Sequence, residues 1–147
     1  MSAMSGKRRL IAAMTAAGVM ALLASYTSAQ TMDGQKITLS GSNEVPPVTT
    51  SASGTGTVTI GADRSVKANI TVTGMTATAS HIHEAAAGVN GPVIVPFTKT
   101  GDNTFAAADG AKLTEAQYAS YKAGNLYVNV HSAANPGGEV RAQLKGN

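Results

Sequence analysis

The chain has 147 residues, with 11 lysines and arginines against 8 aspartates and glutamates, and it contains no cysteine and no tryptophan. The missing cysteine excludes disulfide bonds, thiolate metal ligands and cysteine-based catalysis. With only two phenylalanines, the core has to be built mainly from Val, Ile, Leu and Ala, and the β-branched members of that set favour a pleated sheet.

The first residues have the pattern of a secretory signal peptide. Lys7, Arg8 and Arg9 form a positive region, residues 10–25 are apolar and uncharged, and residues 27–29 offer small side chains to a signal peptidase. The apolar run is shorter than the roughly 20 residues that a spanning helix needs, although a membrane anchor is the alternative. We expect residues 1–29 to be a cleaved signal and residues 30–147 to form one periplasmic or secreted domain without a membrane span.

Removing the signal changes the charge balance. Without Lys7, Arg8 and Arg9, eight basic residues remain against eight acidic ones. The sequence pI of about 9.3 is therefore largely a property of the export signal, and nucleic acid is not an expected partner.

The remaining chain is organised as short strands separated by turn residues. Pro46 and Pro47 lack N–H donors and interrupt the sheet after the first strand. Polar and apolar residues alternate in the next two strands, and the turn residues 61–64 between them predict a hairpin. Residues 90–92, Asn-Gly-Pro, predict a further turn. The predicted strands cover residues 36–40, 54–60, 66–72, 80–84, 93–97, 125–131 and 139–144.

One segment, residues 113–123, favours a helix instead. Thr114 is a candidate N-cap with Gln117 at the capping-box position, and Gly124 is a C-terminal stop. Together the elements predict an all-β Greek-key sandwich or barrel of about seven to eight strands with one short helix.

The three histidines of the chain, His81, His83 and His131, are its leading candidate site. Alternate side chains of a strand lie on the same face, so the imidazoles of His81 and His83 can together offer two nitrogen ligands to one ion. His131 ends another apolar strand and is a candidate third ligand. A site of three imidazoles suits copper or zinc far better than calcium or magnesium; of the two ions, we expect copper rather than zinc. A metal-free cluster of hydrogen-bonded histidines is the competing interpretation.

Five blocks of the sequence carry a resemblance to a known family: residues 39–47 (LSGSNEVPP), 81–84 (HIHE), 90–93 (NGPV), 124–131 (GNLYVNVH) and 135–141 (NPGGEVR). Together they resemble the CHRD domain family, named from the developmental protein chordin, over residues 36–145. The resemblance implies little about activity, because the family is largely defined by sequence.

A second resemblance, to the copper-site region of Cu,Zn superoxide dismutases, bears on chemistry. The approach from residues 70–75 into HIHE is similar in layout to the copper-ligand strand of that family, and residues 128–141 are similar to its last copper ligand and active-site arginine. The resemblance implies that His81, His83 and His131 are copper ligands and that Arg141 guides an anionic substrate. Within the all-β class it implies a superoxide dismutase-like sandwich, with an Ig-like one as the alternative.

The departures from that family limit the implied activity. The chain has no fourth histidine to bridge two metals, no cysteine pair and a shorter connection between His131 and Arg141. Metal sequestration or delivery is therefore favoured over a minimal copper-only dismutase. A metal-free β-sandwich that binds a protein partner in the periplasm or at the cell surface is the third hypothesis.

For several other side chains, a functional interpretation has a structural alternative. Met75 and Glu84 are conceivable fourth ligands, but a core thioether and a hydrogen-bonded carboxylate are the favoured interpretations. Asn129 shares the face of His131 and is a candidate orienting group. Arg141 could instead be solvated or paired with Glu139, and residues 44–47 are expected to be a rigid strand connection rather than a ligand-contact loop.

Overall fold

The computed structural model describes residues 33–147. The predicted signal peptide, residues 1–29, lies outside the described residues. The elements are β1 (Gln35–Ser40), β2 (Ser53–Ile60), β3 (Val66–Thr73), β4 (Ala77–Glu84), β5 (Val93–Gly101), β6 (Thr104–Ala107), α1 (Glu115–Lys122), β7 (Leu126–Ser132) and β8 (Val140–Gln143), with a single 3₁₀ turn at Gly41–Asn43.

The eight strands form a closed antiparallel barrel in the order β1-β2-β3-β6-β5-β4-β7-β8. Pairing of Ser40 in β1 with Arg141 in β8 closes it. β4, β5 and β6 follow one another as antiparallel neighbours, and β7 then returns to lie beside β4, which is the Greek-key connection. The prediction of an all-β Greek-key barrel with one short helix is confirmed.

Alternating side chains build the core. In β3, Val66, Ala68, Ile70 and Val72 are buried while the residues between them are exposed, as expected for a strand with one face toward a hydrophobic interior. The predicted hairpin of β2 and β3 is confirmed, with Ile60 opposite Val66 at its turn.

The helix begins as its sequence predicts. The Thr114 hydroxyl accepts a hydrogen bond from the Gln117 backbone N–H at 3.1 Å, and the Gln117 side chain accepts one from the Thr114 N–H at 2.9 Å, which completes the capping box. The Ser120 hydroxyl donates to the Glu84 carboxylate at 2.6 Å. This bond ties α1 to the end of the strand that carries His81 and His83.

One strand was not predicted. β6 joins β3 to β5 and so completes the wall, yet it has only four residues, and of these only Phe105 is buried. So short a segment with two alanines carries no readable alternation, and its pairing depends on partners distant in sequence. Among residues 33–147, no helix has the length and apolar character needed to cross a membrane.

Candidate metal centre

The three histidines lie on the outer face of two neighbouring strands. On β7, Val128 and Val130 point into the core. The residues that alternate with them, Tyr127, Asn129 and His131, therefore face outward. In the register of β4 with β7, His81 lies opposite Asn129, His83 opposite Tyr127, and His131 opposite Ala79. His131 is thus diagonal to His81, and the small side chain of Ala79 leaves room beside it.

The imidazoles converge, as the alternation and the resemblance predicted. One ligand nitrogen from each of His81, His83 and His131 lies within 4.8 Å of the others. The Nδ1 atom of His81 is 3.0 Å from the Nε2 atom of His131. Nitrogens that share one ion at about 2.0–2.1 Å are roughly 3.3–3.6 Å apart, so the observed separations bracket what an ion requires.

His83 presents its Nε2 atom to the site because its other nitrogen is occupied. The Nδ1 atom of His83 is 2.9 Å from the carbonyl oxygen of Gly91. A carbonyl can only accept, so Nδ1 carries the proton and Nε2 has a free lone pair. That Nε2 atom is buried and has no hydrogen-bond partner among the described residues. A buried polar atom without a partner costs about 1–3 kcal/mol, and a bound cation would remove that cost.

His131 is oriented in the same way. Its Nδ1 atom is 2.9 Å from the carbonyl oxygen of Pro136, so Nδ1 is protonated and Nε2 has the lone pair. The Nδ1 atom of His81 must then donate to the Nε2 atom of His131 across their 3.0 Å contact. In the metal-free protein a proton therefore occupies the space between two candidate ligands.

The environment of the cluster favours the neutral form of His81 and His83. Burial, together with the smaller effects of the neighbouring imidazoles of His131 and His83, lowers the pKa of His81 from its ordinary 6.5 to about 4. Burial also lowers the pKa of His83, with Arg141 and His131 acting in the same direction and the Gly91 carbonyl and the Asn129 side chain opposing. Neutral imidazole is the form that binds metals.

The loop after β7 is held by a buried carboxylate. Glu139 accepts hydrogen bonds from the Thr50 hydroxyl at 2.7 Å and from the Ser132 hydroxyl. The Ser132 oxygen in turn accepts from the Asn135 backbone N–H at 3.1 Å. This network fixes the loop that supplies the Pro136 carbonyl to His131. The alternative pairing of Arg141 with Glu139 is wrong, because the Arg141 guanidinium donates to Asn90 and Val89 instead.

Arg141 is buried rather than solvated, with only 2% of its surface exposed. Its guanidinium lies 3.4 Å from the centre of the Tyr127 ring and donates to the Asn90 side-chain oxygen at 3.0 Å and to the Val89 carbonyl at 2.6 Å. Tyr127 stacks on His83 with ring centroids 4.7 Å apart. Arg141 is thus joined to the histidines through the Tyr127 ring, and its role in guiding a substrate stays a prediction.

Glu44 is buried beside the loop that carries Pro136. Its Oε1 atom has no hydrogen-bond partner in the part of the chain that the structure describes. Burial raises the pKa of Glu44 to about 7, against the opposing effects of Arg141 and Asn129. Gly138 has a φ of +125° and passes so close that an added Cβ would lie 2.5 Å from Glu44 Oε1 and 2.6 Å from Asn129 Nδ2. The predicted connection at residues 44–47 therefore also supports the site.

The two conceivable fourth ligands have other surroundings. Met75 packs against the hydrophobic core, and Glu84 accepts the hydrogen bond from Ser120, as the favoured interpretations predicted. Asn129 lies on the predicted face, where its amide is 3.5 Å from the Gly137 carbonyl.

Tyr127 is the site residue that the sequence analysis missed. Its position two residues before Asn129 and four before His131 placed it on the same strand face, so alternation was a usable signal. The carbonyls of Gly91 and Pro136 gave no such signal, because any residue has a backbone carbonyl.

The geometry defines a class of protein: a small Greek-key barrel with three converging histidines on its outer face. Comparison with known families matches residues 36–144 to the CHRD domain, so the chain belongs to the CHRD domain family. Domains of this family are generally extracellular. No curated protein and no solved structure matches the chain.

Proposed function

We propose that this protein binds a single copper ion through His81, His83 and His131 and serves in metal sequestration or delivery outside the cytoplasm. The observation that carries the proposal is the buried Nε2 atom of His83, which has no hydrogen-bond partner within residues 33–147 while its Nδ1 is fixed by the Gly91 carbonyl. Such an atom is already in the tautomer that a metal requires. The Nε2 atom of His131 is a second nitrogen in this tautomer, and His81 can ligate through Nδ1 once metal binding displaces the proton that Nδ1 shares with His131 Nε2 across 3.0 Å.

The general order of metal affinities favours copper over zinc. Three neutral imidazoles suit both ions, and the usual affinity order of divalent metals places copper above zinc. When bound, copper supplies a one-electron redox couple. The protein's own residues hold the imidazoles in place: Gly91 and Pro136 fix two tautomers, and Tyr127 covers one face of His83.

Partial exposure supports exchange of the ion rather than permanent storage. His81 and His131 are half-buried, whereas His83 is only 7% exposed. An ion can therefore reach the site from the side of His81 and His131, and the more buried His83 then completes its coordination. The predicted signal at residues 1–29 supports export of the protein to the compartment where this exchange occurs.

Metal content of the purified protein tests the proposal. Residues 30–147, produced with copper supplied, should retain one copper ion per chain, and the single variants His81→Ala, His83→Ala and His131→Ala should each lose it. Thr78→Ala, an exposed position on β4, is the matched control and should retain the metal. Failure of the unaltered protein to retain copper, or unchanged retention in all three variants, overturns the proposal. Superoxide consumption by the loaded protein then separates a carrier from a dismutase.

A further inference from the structure

A buried cation and two aromatic rings lie in a stack that ends at the candidate metal ligands. The guanidinium of Arg141 is 3.4 Å from the centre of the Tyr127 ring, and the Tyr127 ring is 4.7 Å from the His83 ring with its plane 5° from parallel. All three side chains project from the outer face of the barrel, where Tyr127 is opposite His83 in β4. Tyr127 is therefore the spacer between a positive charge and a candidate ligand.

The positive charge of Arg141 is held without being neutralised by its hydrogen bonds. Both hydrogen bonds that the guanidinium makes to the described residues go to neutral oxygens, those of the Asn90 side chain and the Val89 carbonyl. The Asn90 amide is itself anchored by donating to the Val45 carbonyl at 2.8 Å. The carboxyl that interacts with Arg141 is Glu44, and burial raises the pKa of Glu44 to about 7. Glu44 is thus only partly ionised at neutral pH, and Arg141 keeps much of its charge uncompensated.

The cavity beside Arg141 argues for an electrostatic role rather than for guiding an anion to the histidines. Arg141 and Glu44 line a cavity of about 630 Å³ between β1, β8 and the 42–47 loop. Among the described residues that line it there is no histidine. An anion that reached Arg141 through this cavity would have Arg141 and Tyr127 between itself and the His83 ring. The positive charge of Arg141 does not need to contact the histidines, because its electrostatic effect extends past the Tyr127 ring to His83.

We propose that Arg141, acting through Tyr127 and His83, is a positioning residue that favours Cu(I) over Cu(II) at the three-histidine centre. The inference rests on the proposed copper binding. A fixed positive charge near a metal ion repels the doubly charged state more than the singly charged one, and this difference is larger in a partly dry site than in water. The couple is Cu(II) plus one electron giving Cu(I), and in the experiment a chemical reductant such as ascorbate supplies the electron.

Redox titration of the copper-loaded protein tests this inference. Arg141→Gln removes the charge and should shift the Cu(II)/Cu(I) affinity ratio toward Cu(II) by about tenfold, which corresponds to a potential about 59 mV lower for a one-electron couple. Arg141→Lys keeps the charge, so its Cu(II)/Cu(I) affinity ratio should stay close to that of the unaltered protein. Lys67→Gln removes an exposed charge on β3, the strand opposite β7 in the barrel, and should leave the ratio unchanged.

A second variant decides the outcome if Arg141→Gln does not fold. Glu44→Gln removes the carboxylate that opposes Arg141, so at pH 8 it should shift the ratio in the other direction, toward Cu(I). The inference is overturned if Arg141→Gln and Glu44→Gln both have the same Cu(II)/Cu(I) affinity ratio as Lys67→Gln. If Arg141→Gln does not fold, an unchanged ratio in Glu44→Gln is sufficient to overturn it. Neither result affects the proposed copper binding. Absence of copper from the unaltered protein instead overturns the proposed function.

Discussion

His83 and Tyr127 lie face to face, with ring centroids 4.7 Å apart and planes 5° from parallel. The Tyr127 hydroxyl accepts a hydrogen bond from the Gly91 N–H at 3.1 Å and lies 3.4 Å from the Gly91 carbonyl oxygen. The same carbonyl accepts from His83 Nδ1 at 2.9 Å. One tyrosine thus fixes both the ring plane of His83 and the residue that sets its tautomer.

Variants of Tyr127 should separate these two contributions to copper affinity. Tyr127→Leu removes the ring and the hydroxyl and should lower the affinity about 10–100-fold, the usual effect of losing a group that orients a ligand. Tyr127→Phe keeps the stack and should lose less. Competition with a chromophoric copper chelator measures both. Tyr118→Leu on α1 is the matched control, and equal affinities in all three variants would contradict the role given to Tyr127.

The tautomers of the metal-free protein follow from its hydrogen bonds. Because Gly91 and Pro136 offer carbonyl acceptors to Nδ1 of His83 and His131, and His81 Nδ1 donates to His131, all three rings should be protonated at Nδ1 and not at Nε2. Long-range ¹⁵N NMR of the imidazoles resolves this, since the chain has only three histidines. An Nε2-protonated His83 or His131 would show that these carbonyls do not set the ligand atoms.

Gly138 is a position where a single methyl group should disturb the centre. Its φ of +125° strains any other residue, and an added Cβ would lie 2.5 Å from the Glu44 carboxylate. Gly138→Ala should lower the free energy of unfolding by about 1–3 kcal/mol and weaken copper binding, because the loop also carries the Pro136 carbonyl. Gly137→Ala, where the Cβ meets open space, is the neighbouring control. Denaturant melts that show equal stability for the two variants would refute this account of the loop.

Glu44 gives the stability of the protein a defined pH dependence. Its pKa is raised from 4.5 to about 7 in the fold, so the folded state holds the proton more tightly than the unfolded chain. Its contribution to stability is fully present below pH 4.5 and is lost as the pH rises through 7. The stability of the unaltered protein minus that of Glu44→Gln should therefore fall between pH 4.5 and 7 and level off above. Because the subtraction removes every group that the two proteins share, a difference that is independent of pH would be evidence against the buried carboxyl.

The parts of the fold that local pattern determines were predictable. The alternation in β3, the capping box of Thr114 and Gln117, and the turn between β2 and β3 each depend on residues close together in sequence. β6 was not predictable, because its four residues are held by pairing with β3 and β5 rather than by their own preferences.

The site shows the same division. His81 and His83 share a face by alternation alone, and His131 was a candidate because it ends another apolar strand, an assignment that the resemblance of the β7 block supported. The burial of Arg141 under residues 89–90 and its stacking on Tyr127 depend on how a loop folds over the barrel. No spacing in the sequence encodes that contact, so pairing with Glu139 was an equally open expectation.

The central claim is that one copper ion is bound by all three histidines, and isotope labelling tests it most directly. Because the chain has three histidines, growth with ¹⁵N-imidazole histidine labels the candidate ligands and no other side chain. Pulsed electron paramagnetic resonance of the Cu(II)-loaded protein should then show coupling to three labelled imidazoles. A spectrum that shows fewer than three in the unaltered protein, or none, would contradict the account.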